Sequence, residues 1–202
     1  AEGVENIHAI TDGTYMMVIE ALERLGKDLG IRLIVPRHEA AAAHACDAYT
    51  RVKGEPAVVM ACAGPGAANL VAGLMCAEAE GSPVVAVTTT RRSEISDSYV
   101  HQGGMQVSRH LDIFKPAVKW SGKVDHWTRI PDMVRHAFRV ATSGRPGPVH
   151  ILIPENILGQ RCDDGEVKIW KPEQYRISEL AGYDPDAIQR AEIGRASCRE
   201  RV

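Results

Sequence analysis

Three stretches of this chain are apolar at nearly every position: Ala57-Val58-Val59-Met60-Ala61-Cys62, Pro83-Val84-Val85-Ala86-Val87-Thr88 and Val149-His150-Ile151-Leu152-Ile153. A strand with one wet face alternates apolar and polar residues, so runs without alternation require burial on both faces, the pattern of a parallel sheet covered on each side. Shorter extended runs at 7–10, 32–35 and 117–123 accompany them. Between the runs lie helical stretches at 15–29 (with Met17, Ile19, Leu22 and Leu25), 39–52, 66–80, 107–114 and 128–142. Strand-helix alternation with short turns predicts right-handed crossovers. The expected fold is α/β: a doubly wound, mostly parallel sheet of about six strands with helices on both faces.

The bulk numbers exclude several partners. A net charge of −2 over 202 residues leaves no basic excess to neutralise phosphates, so nucleic acid is not expected. No run approaches a membrane span, and no membrane partner is expected. The five cysteines form no CxxC pair and no zinc spacing, which suits free thiols in a reducing, cytoplasmic compartment. No metal-ligand cluster is visible; His38 and His44 share a helix but have no companions.

Segment boundaries follow from the loss of periodicity. Residues 1–154 form the α/β domain, and 155–183 read as a linker with Trp170 and Pro172. Asp184-Pro185 caps a new helix over 184–191. The last eleven residues, 192–202, have no apolar period, read as translated sequencing adapter, and are excluded from fold reasoning.

In an open parallel sheet, ligands bind beyond the carboxyl ends of the strands. The residues just past those ends are Thr11-Asp12-Gly13-Thr14, His38-Glu39, Ala63-Gly64-Pro65-Gly66 and Thr89-Thr90-Arg91; the loop with His101, Gln102 and Gln106 leaves the same edge. Gly64-Pro65-Gly66 admits two bland readings, a dinucleotide turn and a purely structural tight turn. Against the dinucleotide, Asn69 occupies the third glycine position and the strand at 83–88 carries no acid. Glu39 is explained by the helix dipole alone, unless its setting is special. That setting is alanine-rich, beside an Ala-Gly-Pro-Gly-Ala-Ala turn, and leaves a slot for a planar ring against one carboxylate.

The segments RHEAAAAHACDAYTR, ACAGPGAANLVAGL, PVVAVTTT and SGRPGPVHILIPEN together resemble the N-terminal pyrimidine-binding domain of thiamine diphosphate enzymes, in the acetolactate synthase and 2-oxo acid decarboxylase group. The resemblance runs from Ala1 to Ala191, with the family's first helix missing. It implies that Glu39 hydrogen-bonds a ring nitrogen of the aminopyrimidine and favours its imino form, which then activates the thiazolium carbon toward a 2-oxo acid. It also implies that Gly64, Pro65, Gly66 and Asn69 bind cofactor, with Gly13, Gln106, His101 and Gln102 on the substrate side. A solvated loop is the plain alternative for the last three.

Several positions depart from the family pattern: Ala40 and Ala41 follow the Glu where Gln-Gly is common, and Ala63 and Ala68 replace hydroxyls. Met105-Gln106-Val107 stands for Phe-Gln-Glu, and Thr11-Asp12-Gly13 for Pro-Gly-Gly. Most lie toward the substrate. The family's diphosphate and Mg2+ anchor, a Gly-Asp-Gly segment followed by Asn-Asn, has no counterpart here. The resemblance therefore implies thiamine diphosphate and Mg2+ as cofactors, a second subunit supplying the diphosphate domain (a homo-oligomer), a small 2-oxo acid or acyl-CoA substrate, and little activity for this chain alone. A dinucleotide-binding module and a non-catalytic dimerisation relative are the alternatives.

Overall fold

A computed structural model of the chain describes residues 2–97, 104, 106–160, 167–176 and 185–190. Six strands, β1 (Asn6–Ala9), β2 (Arg32–Ile34), β3 (Ala57–Ala61), β4 (Val84–Thr90), β5 (Trp120–Lys123) and β6 (Val149–Pro154), form one sheet in the order β2-β1-β3-β4-β6-β5. Every pairing is parallel. The sheet is therefore wholly parallel among the described residues, and the central strands β3 and β6 are buried at every position. The uniform apolar runs have this cause.

The connecting helices are α1 (Met16–Leu29), α2 (Glu39–Lys53), α3 (Pro65–Asn69), α4 (Val71–Glu80), α5 (Ser93–Ser96), α6 (His110–Phe114), α7 (Ile130–Thr142) and α8 (Glu155–Leu158). Helices α2, α4 and α6 cover one face, where Ala43, Cys46, Val59, Leu74, Ala86 and Phe114 share a core. Helices α1, α7 and α8 cover the other through Ile19, Met60, Val85, Phe138, Ile151 and Ile157. Residues 58 and 60 face one layer and 59 and 61 the other, as the two-residue strand period requires.

The connection leaving β1 runs to α1 on one face, and that leaving β3 runs to α3 and α4 on the other. The strand order reverses between these neighbours, which opens a crevice at their carboxyl ends.

Three local results differ from the sequence reading. The helix expected over 66–80 is broken: the Leu70 N–H bonds Ala67 O at 3.1 Å, a tightened turn between α3 and α4. The helix expected from 107 starts only at His110, because Arg109 at φ −79, ψ 72 is off helical geometry. The strand expected from 117 starts at Trp120, since the Ala117 N–H turns back to Phe114 O.

The alanines of α2 also have a packing cause. Ala42, Ala43 and Cys46 are fully buried, and a Cβ on Gly73 of α4 would fall 2.5 Å from that of Ala43. Small residues on both helices permit this close crossing. Residues 167–176 lie along α7, with Arg176 5.1 Å from the Phe138 ring and Tyr175 bonded to Glu2. Residues 185–190 are helical. No helix among the described residues is long and apolar enough to cross a membrane.

Candidate functional site

Glu39 is the first residue of α2. His38 caps that helix by accepting the Ala40 N–H on its ring, which frees the Glu39 carboxylate to turn inward. Its residue is only 9% exposed, and Oε2 accepts the side-chain amide of Asn69 at 3.0 Å. Oε1 takes no hydrogen bond among the described residues. Gly66 faces it: a Cβ there would lie 3.1 Å from Oε1 and 2.2 Å from Cys62 Sγ. The bare surface beside the carboxylate is therefore Gly66, while Ala42 and Ala43 serve the contact with α4.

Gly64 adopts φ 71, ψ −119, a conformation open to glycine, and precedes Pro65 at the start of α3. A Cβ on Gly64 would stand 2.8 Å from Gln106 Cα, so this turn packs directly on the backbone of Gln106. The Gly64 N–H is held from within by His110 Nε2 at 3.1 Å.

The loop after β1 closes the crevice from the other side. Asp12 Oδ1 accepts both the N–H and the hydroxyl of Thr14, at 2.8 and 2.7 Å. Since the Thr14 proton is thereby committed, the Thr89 hydroxyl of β4 donates to Thr14 Oγ1 at 2.6 Å. Gly13 is exposed with open space about it. Two residues on, Tyr15 is completely buried, and its hydroxyl has no partner among the described residues. Burial first, and then Cys62, Asp12 and Glu39, push the Tyr15 phenol far up from its ordinary value. The Cys62 thiol is raised too, by burial and then by Asp12 and Glu39.

The structure thus brings Glu39, Gly64, Pro65, Gly66, Asn69 and Gln106 to one crevice, with Gly13 on its rim. His101 and Gln102 lie outside the described residues. Sequence reasoning missed Tyr15, Cys62 and His110 as parts of the site. Tyr15 and Cys62 carried a signal, since each lies within a few residues of a strand's carboxyl end. His110 carried none, because only the folded chain sets it under Gly64.

The arrangement offers one carboxylate oxygen, held by an amide through its partner oxygen, against a glycine. It suits a planar heterocycle with a ring nitrogen that can share a proton, and the buried Tyr15 hydroxyl adds an unused polar group. The residues present fit an aminopyrimidine. Asn69, the third position of the Gly-x-Gly-x-x pattern, is committed to Glu39 rather than standing as a glycine under a pyrophosphate.

Comparison with known proteins gives the family of the chain. Residues 1–112 match the family described as "Thiamine pyrophosphate enzyme, N-terminal TPP binding domain". The chain is 37% identical to a probable acetolactate synthase large subunit of Methanocaldococcus jannaschii, over 93% of this chain and 30% of the relative. It is 34% identical to the acetolactate synthase large subunit of Buchnera aphidicola subsp. Acyrthosiphon pisum, over 78% and 26%. Against the chloroplastic acetolactate synthase 3 of Brassica napus it is 37% identical, over 79% and 23%. The chain spans less than a third of the length of these relatives. With the match over residues 1–112 and these likenesses, the chain belongs to the thiamine pyrophosphate enzyme family, as an N-terminal TPP-binding domain of the acetolactate synthase-like group.

Proposed function

We propose that this chain supplies the aminopyrimidine half of the active site of an acetolactate synthase-like enzyme, which decarboxylates a small 2-oxo acid and joins the product to an acceptor. The observation that carries the reading is the Glu39 carboxylate, buried at the β1/β3 crevice with Oε2 occupied by Asn69 and Oε1 facing Gly66. When bound, thiamine diphosphate supplies the electron sink that such a decarboxylation needs. This chain holds the ring end of it. Glu39 holds a proton between Oε1 and the ring nitrogen. Asn69 keeps the carboxylate from rotating, and the Gly64-Pro65-Gly66 backbone lines the ring's approach. The fully buried Tyr15 ring fills the inner wall. Gly13, Gln106, His101 and Gln102 are assigned to the substrate side, with a 2-oxo acid or an acyl-CoA as the substrate.

The diphosphate and its Mg2+ are assigned to a segment outside this chain, in a second subunit of a homo-oligomer. Two features support that assignment: the sequence holds no Gly-Asp-Gly triplet, and Val52 and Met75 stand exposed on α2 and α4. A cytoplasmic setting suits the free thiols of Cys46, Cys62 and Cys76. A dinucleotide at the Gly64 turn is the poorer reading, because Asn69 is already engaged.

The test is cofactor-dependent turnover by the intact protein. Addition of thiamine diphosphate with Mg2+ is expected to release carbon dioxide from pyruvate or a related 2-oxo acid, with NAD giving no binding. Tight binding of NAD with no response to thiamine diphosphate contradicts the proposal.

A further inference from the structure

Four polar side chains, three of them buried and Ser121 half-buried, run from the cofactor turn across the sheet to its edge. The Gly64 N–H meets His110 Nε2 at 3.1 Å, and His110 Nδ1 meets Thr88 Oγ1 at 3.2 Å. Thr88 Oγ1 then meets His150 Nε2 at 2.7 Å, and His150 Nδ1 meets Ser121 Oγ at 2.7 Å. Thr88 lies on β4, His150 on β6 and Ser121 on edge strand β5. His110, Thr88 and His150 are at most 1% exposed, and the Phe114 ring stacks on His150 at 4.0 Å.

One order of the protons in this chain gives both rings and the Thr88 hydroxyl an acceptor each. A backbone N–H only donates, so His110 Nε2 must be bare and the ring's single proton must sit on Nδ1. Nδ1–H therefore donates to Thr88. His150 Nε2 is the one acceptor among the described residues within reach of the Thr88 proton, so the hydroxyl donates to it. That ring is consequently also of the Nδ1–H form and donates to Ser121. His110, Thr88 and His150 each accept once and donate once. Burial pushes His110 down to about 4 and His150 well below its ordinary value, so both rings are neutral at pH 7.

We propose that His110 is the positioning residue of the Gly64 turn, and that Thr88, His150 and Ser121 hold its ring in the one tautomer able to accept the Gly64 N–H. Gly64 needs such an anchor. Its side-chain-free backbone at φ 71 has no intrinsic preference for one peptide orientation, and no side chain caps the start of α3. Gln106 blocks the turn from outside, and His110 fixes it from within. Rotation of the Ala63–Gly64 peptide would swing the turn that lines the cofactor ring, so the orientation of the slot beside Glu39 depends on a ring that touches neither cofactor nor substrate.

Long-range 1H–15N spectra of the intact protein read the protonation of each ring nitrogen. His110 and His150 are both expected to carry Nδ1–H with Nε2 bare at pH 7; a proton on His110 Nε2 overturns the proposal. His110→Leu removes the acceptor at similar volume, and loss of one hydrogen bond is expected to speed Gly64 amide exchange about tenfold. His110→Gln, whose Oε1 reaches the same place, is expected to restore protection to within about threefold of the original. Equal exchange in the two variants overturns the acceptor role, since volume alone would then explain His110. Thr88→Val is expected to give a mixture of His110 tautomers; an unchanged single tautomer contradicts the part assigned to the chain.

The inference rests on the cofactor reading for one further readout: His110→Leu is expected to raise the KM for thiamine diphosphate more than it lowers kcat at saturating cofactor. Tautomers and exchange need no cofactor. If they come out as expected in a protein that does not bind thiamine diphosphate, the positioning of the turn stands and the cofactor reading falls.

Discussion

The side-chain amide of Asn69 donates to Glu39 Oε2 at 3.0 Å, joining the helix after β3 to the helix after β2 across the crevice. Thirty residues separate the two along the chain. The bond decides which carboxylate oxygen is left for a ligand, and it requires the tightened turn at Leu70 that ends α3 just past Asn69.

Asn69→Ala is expected to leave Glu39 unrestrained. A hydrogen bond to a charged group contributes about 1.5–3 kcal/mol, so cofactor-dependent kcat/KM is expected to fall about 10- to 100-fold. Asn69→Asp, which sets two carboxylates together, is expected to be worse than Ala. Steady-state kinetics of the intact protein measure both, and an Asp variant as active as the original contradicts the arrangement.

Gly66→Ala places a Cβ against both Cys62 Sγ and Glu39 Oε1. The single variant is expected to lose stability and cofactor affinity together. Adding Cys62→Ala removes the sulfur clash and is expected to recover most of the melting temperature, while affinity stays at least about tenfold weak because the crowding at Oε1 remains. Thermal unfolding and cofactor titration separate the two effects.

Gly73→Ala tests the α2–α4 crossing. Its Cβ would fall 2.5 Å from that of Ala43 and 2.9 Å from the His44 nitrogen. Overpacking of this kind costs about 1–3 kcal/mol, read by denaturant unfolding. An unchanged midpoint means that the helices do not cross as closely as described.

Much of the fold was legible because its cause is local. Strands buried on both faces must be apolar throughout, so β3, β4 and β6 announced themselves, and the strand ends then announced Glu39 and the Gly64 turn. What was not legible depends on distant partners. His110 lies 46 residues from Gly64 and 40 from His150, and nothing in its own neighbourhood marks it as part of the site. Tyr15 reads as an ordinary helix-start aromatic until burial leaves its hydroxyl unpaired. The alanine run of α2 was visible, but its reason was not: Gly73, from a different helix, sets the need for small residues there.

Stability is expected to rise with pH below neutrality. His8, His110 and His150 all have proton affinities lowered by burial, His110 from the ordinary 6.5 to about 4. Between those values the unfolded chain binds protons that the folded chain refuses, so acidification from pH 6.5 toward 4 favours unfolding, by at most about 1.4 kcal/mol per pH unit for each histidine. Denaturant midpoints at pH 5 and 7 measure this slope. His110→Gln is expected to flatten it, and an unchanged slope removes His110 as a contributor.

The central claim is that Glu39 acts on the bound cofactor rather than serving only to open α2. Glu39→Gln keeps the shape and the helix start but removes the carboxylate. In the intact protein, kcat with a 2-oxo acid is expected to fall at least about a hundredfold, as for loss of a positioned acid–base group, while the dissociation constant for thiamine diphosphate changes by less than about tenfold. Turnover in the Gln variant equal to that of the original contradicts the account.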